Sequence, residues 1–212
     1  MLPVDHANIS SVPHPDIFGE ADHRIANSLQ TISSLVRLRA RNAENTDPRV
    51  FLSEVADRID TVGKLHRLLS HSPSGAIGVA SYLGEICDRL KSALADGKVA
   101  IALDCSSDIQ VDSRYAMPLG LIAAELISNS FKYAHPAGLP VAITLRCVRR
   151  GGDALTLTYE DDGVGFPEGF DFLADGHLGM RFIRSLSEGL GCAPRWQSDP
   201  LGVRFEIAFA IV

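Results

Sequence analysis

Apolar residues recur through the first third of the chain at alternating steps of three and four. Phe18, Ala21, Ile25, Leu29, Ile32 and Val36 form one such seam, which is the spacing of a helix packed against a partner at coiled-coil distance. The pattern predicts a helix from Asp16 to about Ala43. A turn follows at Glu44-Asn45-Thr46-Asp47-Pro48. Asp47 suits the cap of a second helix, and Pro48 suits its first position, where the missing N–H would be unpaired in any case. The second seam runs through Phe51 or Leu52, Val55, Ile59, Val62, Leu65 or His66, and Leu69, and ends before Ser72-Pro73-Ser74-Gly75. Two helices of about 25 residues, each about 38 Å long, cannot bury both seams against one another alone. Each buried Leu or Ile contributes about 1.5–3 kcal/mol, so pairing of two hairpins into a dimeric four-helix bundle is the expected outcome.

After Gly75 the periodicity changes. An amphipathic helix is predicted over 77–95, then a strand from the alternation Val99-Ala100-Ile101-Ala102-Leu103, and a helix from Ser113 to Ala134. Strands follow near 140–149 and 154–160, a glycine-rich loop over 161–179, a helix over 179–189, and closing strands near 193–198 and 203–211. Helices with mostly antiparallel strands in this order predict an α+β sandwich with helices on one face of a sheet. The expected organisation is a leader at 1–15, rich in proline, serine and histidine, a helical hairpin at 16–72, and a second domain at 76–212.

Composition narrows the function classes. A net charge of −6 over 212 residues argues against a dedicated nucleic-acid binder, which carries a basic face to displace phosphate counterions. Cys87, Cys105, Cys147 and Cys192 form no C-x-x-C pair, so neither a zinc site nor a disulfide framework is expected and a reducing compartment fits. The N-terminal stretch lacks the basic start and apolar run of a signal peptide, and no run of about 18 apolar residues occurs, so the expectation is a cytoplasmic protein without membrane insertion.

Four constellations carry candidate chemistry. On the first predicted helix, Glu20, His23, Asn27 and Gln30 stand at steps of three, four and three, forming a polar stripe beside the apolar seam. A neutral imidazole is a competent nucleophile toward a phosphoryl group, and Glu20 or Asp22 could orient it or accept its proton. The six other histidines, including His66 and His135, sit in no comparable stripe. Glu125, Asn129 and Lys132 share one helical face opposite Leu121, Ile122, Leu126 and Phe131. A carboxylate, an amide oxygen and an ammonium converging on a groove can hold Mg²⁺ and the triphosphate it bridges, although a solvated helix face has the same pattern. Asp161-Asp162-Gly163-Val164-Gly165 follows a predicted strand. Its glycines permit close backbone approach to a planar ligand, and a carboxylate there can accept a hydrogen bond from an exocyclic amine. Asp-Gly is also the commonest turn dipeptide. Finally, Gly176 and Gly179 open the next helix, where N–H groups can meet an anion.

Taken in order, His-Arg-x-x-Asn-x-Leu-Gln, Glu-Leu-x-x-Asn-x-x-Lys-Tyr, Asp-x-Gly-x-Gly and a short glycine lid resemble the sensor histidine kinases with an H-R-x-x-N box. The nucleotide-binding fold of that family is shared with gyrase, Hsp90 and MutL. The resemblance covers about residues 16–211. It implies ATP and Mg²⁺ as cofactors and His23 as phospho-acceptor. Asn129 would coordinate Mg²⁺, Lys132 and Tyr133 would lie near the phosphates, and Glu125 would polarise the attacking group. Asp161 would bind the adenine amino group, with Gly163 and Gly165 giving the base room and Gly176 and Gly179 in the lid. It further implies a homodimer and, as partner, the receiver domain of a response regulator.

The sequence departs from that pattern at Ala26, where Lys is usual, at Ser28, where Asn is frequent, and at Val203, where a hydroxyl often stands near the phosphates. No sensory or receiver segment is recognisable, which implies a separate sensor protein or an excised module. The alternative reading is a histidine phosphotransferase that relays phosphate between receiver domains and keeps a vestigial nucleotide fold; a serine kinase or ATPase on the same fold would leave the His23 hairpin unexplained.

Overall fold

The computed structural model describes residue 33 and residues 48–69, 76–94, 98–172 and 178–211. The first predicted seam therefore lies outside the described residues, apart from Ser33, which is helical and exposed. Four long helices are described: α1 (Pro48–Leu69), α2 (Val79–Ala93), α3 (Ser113–Tyr133) and α4 (Leu178–Gly189). The strands are β1 (Ala76–Gly78), β2 (Val99–Cys105), β3 (Gln110–Asp112), β4 (Val141–Arg150), β5 (Ala154–Asp161), β6 (Arg195–Asp199) and β7 (Gly202–Ala210).

Five strands form one sheet in the order β2-β4-β5-β7-β6, while β1 and β3 make a separate antiparallel ribbon. Within the large sheet β2 and β4 run parallel and the other pairs antiparallel. The parallel pair follows from connectivity, because α3 lies between the two strands in the chain and supplies the crossover that parallel neighbours require. Along β4, buried Ile143, Leu145 and Cys147 alternate with exposed Ala142 and Arg146, so one face of the sheet is the core face. Leu145, Leu155, Leu157 and Phe205 are fully shielded, each contributing about 1.5–3 kcal/mol.

The helix α3 is buried almost all round, with Leu119, Ile122, Ala123 and Ile127 at 0 % exposure. A helix with apolar residues on every side must sit at the centre of a core. It lies between the sheet, α2, α4 and α1. A Cβ at Gly120 would stand 2.3 Å from the Tyr82 hydroxyl, so glycine is what lets α2 approach α3. Phe131, expected on the apolar face, is exposed in the last turn of α3.

The helix α1 divides its seam. Val62, Leu65 and Leu69 are buried in the same core as the sheet, and α1 packs on α3, whereas Leu52 and Ile59 remain 63 % and 46 % exposed. Part of the apolar surface assigned by periodicity to hairpin pairing is thus covered within the chain itself. The short strands β1 and β3 were absent from the expected elements; at three residues each they carry no periodicity to read.

Candidate functional site

The C-terminal half of α3, the end of β5, the loop after it and the start of α4, with Glu54 and Arg58 of α1, enclose a cavity of about 360 Å³, within the range of small-ligand sites. Asn129, Lys132, Tyr133, Asp161, Gly165 and Gly179 all contribute to its wall. Asn129 is half-buried, and Lys132 and Tyr133 are exposed at its edge. Their common side follows from the helical steps between them, since residues three and four apart stack on one face. Glu125, one turn earlier, opens instead onto an adjoining cleft of about 90 Å³ that Lys132 also lines.

Asp161 is the most constrained group in the cavity. Its Oδ1 accepts from the backbone N–H groups of Gly163 and Val203, each at 3.1 Å, and its Oδ2 accepts from the Ser130 hydroxyl. The Tyr159 hydroxyl stands 2.6 Å from Ser130 Oγ and 3.3 Å from the Leu126 carbonyl. Burial holds the Tyr159 phenol well above its ordinary pKa, so it stays a donor. Val203, where the sequence lacks a hydroxyl, serves the site through its backbone. A carboxylate has about four lone-pair directions, and the three donors leave Asp161 capacity for one more.

The site glycines answer to the protein's own backbone. A Cβ at Gly163 would stand 2.7 Å from Ala134 Cα, at the C-terminal end of α3. Gly165 has φ +73°, and a side chain there would meet the Asp199 carbonyl oxygen at 2.2 Å. These two glycines press the loop against α3 and β6, and only Gly165 reaches the cavity wall. At the start of α4, a Cβ on Gly179 would stand 2.1 Å from Glu125 Oε1, so glycine allows α4 to close over that carboxylate.

Several participants escaped sequence reasoning. Arg58 of α1 donates from Nη2 to Glu125 Oε1 at 2.6 Å, with both side chains nearly buried. Asp162 accepts from the Ala142 N–H at 2.8 Å and lies 3.2 Å from His135 Nε2, which fixes the loop's first residues. Phe166, Phe170 and Trp196 bring an aromatic wall to the cavity, with Phe166 and Phe170 stacked at 4.7 Å between centroids. Ser130 was visible only as a polar residue between Asn129 and the apolar stripe, and Arg58 only as a charge on a helix rich in charges. His23, Glu20, Asn27 and Gly176 lie outside the described residues. Among the described residues, no group of three His, Cys, Asp or Glu could hold a metal ion, and no helix is long and apolar enough to cross a membrane.

The fold of a five-stranded mixed sheet backed by helices is shared with solved histidine kinase domains. The histidine kinase domain of the Erythrobacter litoralis EL346 blue-light activated kinase superposes with a TM-score of 0.69 at 24% identity, covering 91% of this chain and 92% of that one. The catalytic domain of the histidine kinase ThkA superposes with a TM-score of 0.54 at 12% identity over 64% of this chain and 94% of its own. In sequence, residues 20–94 match the histidine kinase family model. The sensor histidine kinase PdtaS of Mycobacterium tuberculosis is 31% identical over 172 residues, and blue-light-activated histidine kinase 2 of Erythrobacter litoralis is 28% identical over 178. The chain is a homologue of the sensor histidine kinases, and residues 20–94 fall within the histidine kinase family. These alignments take in 79% and 81% of the chain but only 33% of PdtaS and 50% of the blue-light kinase.

Proposed function

We propose that the chain is the catalytic core of a two-component histidine kinase, which uses Mg-ATP to phosphorylate His23 and passes the phosphoryl group to an aspartate of a response regulator. The observation that carries this reading is Asp161, held by three donors at a cavity that Asn129 and Lys132 also line. Asp161 keeps one acceptor direction for the amino group of adenine, and Phe166 and Phe170 offer the base an apolar wall. Asn129 presents an amide oxygen of the kind Mg²⁺ prefers. Lys132 and Tyr133, at the rim, suit the phosphates. Bound Mg-ATP would supply the transferable phosphoryl group with its charge partly neutralised. An imidazole nitrogen of His23 then forms the P–N bond as the bond from the γ-phosphorus to the bridging oxygen breaks, leaving ADP. Glu20 orients the ring or takes its proton, Asn27 shares the polar stripe, Glu125 polarises the attacking group, and Gly176 and Gly179 belong to the lid. The same reading makes the protein a cytoplasmic homodimer joined through the hairpin.

Isothermal calorimetry with Mg-ATP tests the nucleotide half. Saturable binding to the wild-type chain, lost in Asn129→Ala, is the expected outcome. Absence of binding to the wild type would favour the phosphotransferase alternative, which needs no nucleotide.

A further inference from the structure

The contact between Arg58 and Glu125 joins two parts of the chain that are 67 residues apart. Arg58 projects from α1, the helix predicted to complete the phosphotransfer hairpin, while Glu125 sits on α3, one turn before Asn129. The guanidinium is held at both ends: Nη1 donates to the Glu54 carbonyl at 3.0 Å within α1, and Nη2 donates to Glu125 Oε1 at 2.6 Å. Only 11% of the Arg58 side chain and 12% of the Glu125 side chain are exposed. A shielded, charge-assisted pair of this length is far more geometrically determined than a surface ion pair. Its surroundings are equally tight, since a Cβ on Gly179 would stand 2.1 Å from Glu125 Oε1 and 3.3 Å from Arg58 Nη2. Three elements, α1, α3 and the first turn of α4, therefore meet at one carboxylate. Arg58 also borders the nucleotide cavity, but its Nε is buried without an acceptor and both Nη atoms already donate to protein oxygens, which directs the guanidinium at Glu125.

We propose that Arg58 is a positioning residue that fixes the Glu125 carboxylate and, through it, registers the hairpin helix α1 against the nucleotide site. This rests on the kinase reading for its catalytic consequence but not for its structural one. Val62, Leu65 and Leu69 pack α1 into the shared core, and Arg58 adds the directional polar contact to α3 on which the alignment of His23 with the γ-phosphate depends. Its loss should impair transfer more than nucleotide binding, because Asp161 is held by Ser130, Gly163 and Val203 and not by Arg58.

The test uses the full chain with Arg58→Ala, Arg58→Lys, Glu125→Gln and the double variant Arg58→Ala/Glu125→Gln. Three quantities are read: the Kd for Mg-ATP, the single-turnover rate of label transfer to His23, and amide hydrogen exchange over 48–69. Arg58→Ala should slow transfer by about tenfold to a hundredfold, as misplacement of a reacting group does, while Kd moves by less than about threefold, a small part of the binding energy. The double variant should transfer no more slowly than the slower single variant, since both changes remove one interaction. Exchange over α1 should rise in Arg58→Ala and be partly restored in Arg58→Lys, which keeps the charge but not the fork. Transfer at the wild-type rate in Arg58→Ala, additive losses in the double variant, or a fall in affinity matching the fall in rate would each overturn the proposal. If the wild type transfers no label, the kinase reading fails, and the exchange arm alone decides: unchanged protection of α1 in Arg58→Ala overturns the latch, and increased exchange upholds it.

Discussion

Asp161 illustrates how much chemistry one side chain can be asked to hold. Its two oxygens receive donors from the following loop, from β7 and from α3, so it is at once the end of β5 and the tie between three elements. Asp161→Asn replaces one acceptor oxygen with an NH₂ group facing a donor that has nowhere else to go. An unsatisfied buried donor costs about 1–3 kcal/mol, so the variant should lose about that much unfolding free energy, with a lower urea midpoint, and most of its affinity for Mg-ATP. Chemical denaturation and calorimetry on the same sample check both. Ser130→Ala, which removes one donor and leaves the carboxylate, should cost less in stability and leave nucleotide binding measurable. The sequence made Asp161 visible through Asp-x-Gly-x-Gly, but its support was not. Ser130 is read as one more polar residue on a helix until β5 brings Tyr159 and Asp161 beside it. The glycines were legible as sites of close approach, yet the structure turns Gly163 toward Ala134 instead of toward a ligand.

The described helices and long strands stand within a few residues of their predicted positions, because α2, α3, α4, β2, β4, β5 and β7 each carry enough period to be read. The three-residue strands β1 and β3 do not. The parallel pairing of β2 with β4 was also hidden, since alternation along a strand does not reveal its neighbour's direction. In α1 the seam was legible, but its division between the core and exposed Leu52 and Ile59 depends on where α3 lies. Arg58 was passed over for the same reason: its partner is distant in sequence.

Burial within these elements has a titration consequence. Cys87 on α2 is pushed up to about 11 from an ordinary 9.0, first by burial, with Lys91 pulling it down and Asp88 raising it. Between those values the unfolded thiol has lost its proton and the folded one has kept it, so the folded state binds more protons and stability falls as pH rises. The contribution is intact below about pH 9 and is lost through about pH 11. Tyr82 and Tyr159, also raised by burial, add to the loss above their ordinary 10.0. Urea midpoints should therefore drop steeply between about pH 8.5 and about pH 10.5, and Cys87→Ala should flatten the first part of that decline. A midpoint independent of pH across this range would contradict the buried placement of these groups.

At the scale of the whole molecule, the sheet presents a charged outer face and an apolar inner one. Arg146 reaches both Asp104 and Glu160, and Arg204 reaches Glu160 and Glu206; exposed pairs of this kind contribute about 0–1 kcal/mol each. The stabilising weight lies on the other side, in the core that α1 shares with α2, α3, α4 and the sheet. That sharing ties α1 to α3 and the sheet, so under the proposed function docking and catalysis are expected to be linked. The central claim is that this arrangement delivers a phosphoryl group from ATP to His23. Incubation with γ-labelled ATP and Mg²⁺ tests it most directly. The account predicts an acid-labile label on the wild-type chain that is absent from both His23→Ala and Asn129→Ala; an acid-labile label that persists in His23→Ala would contradict it.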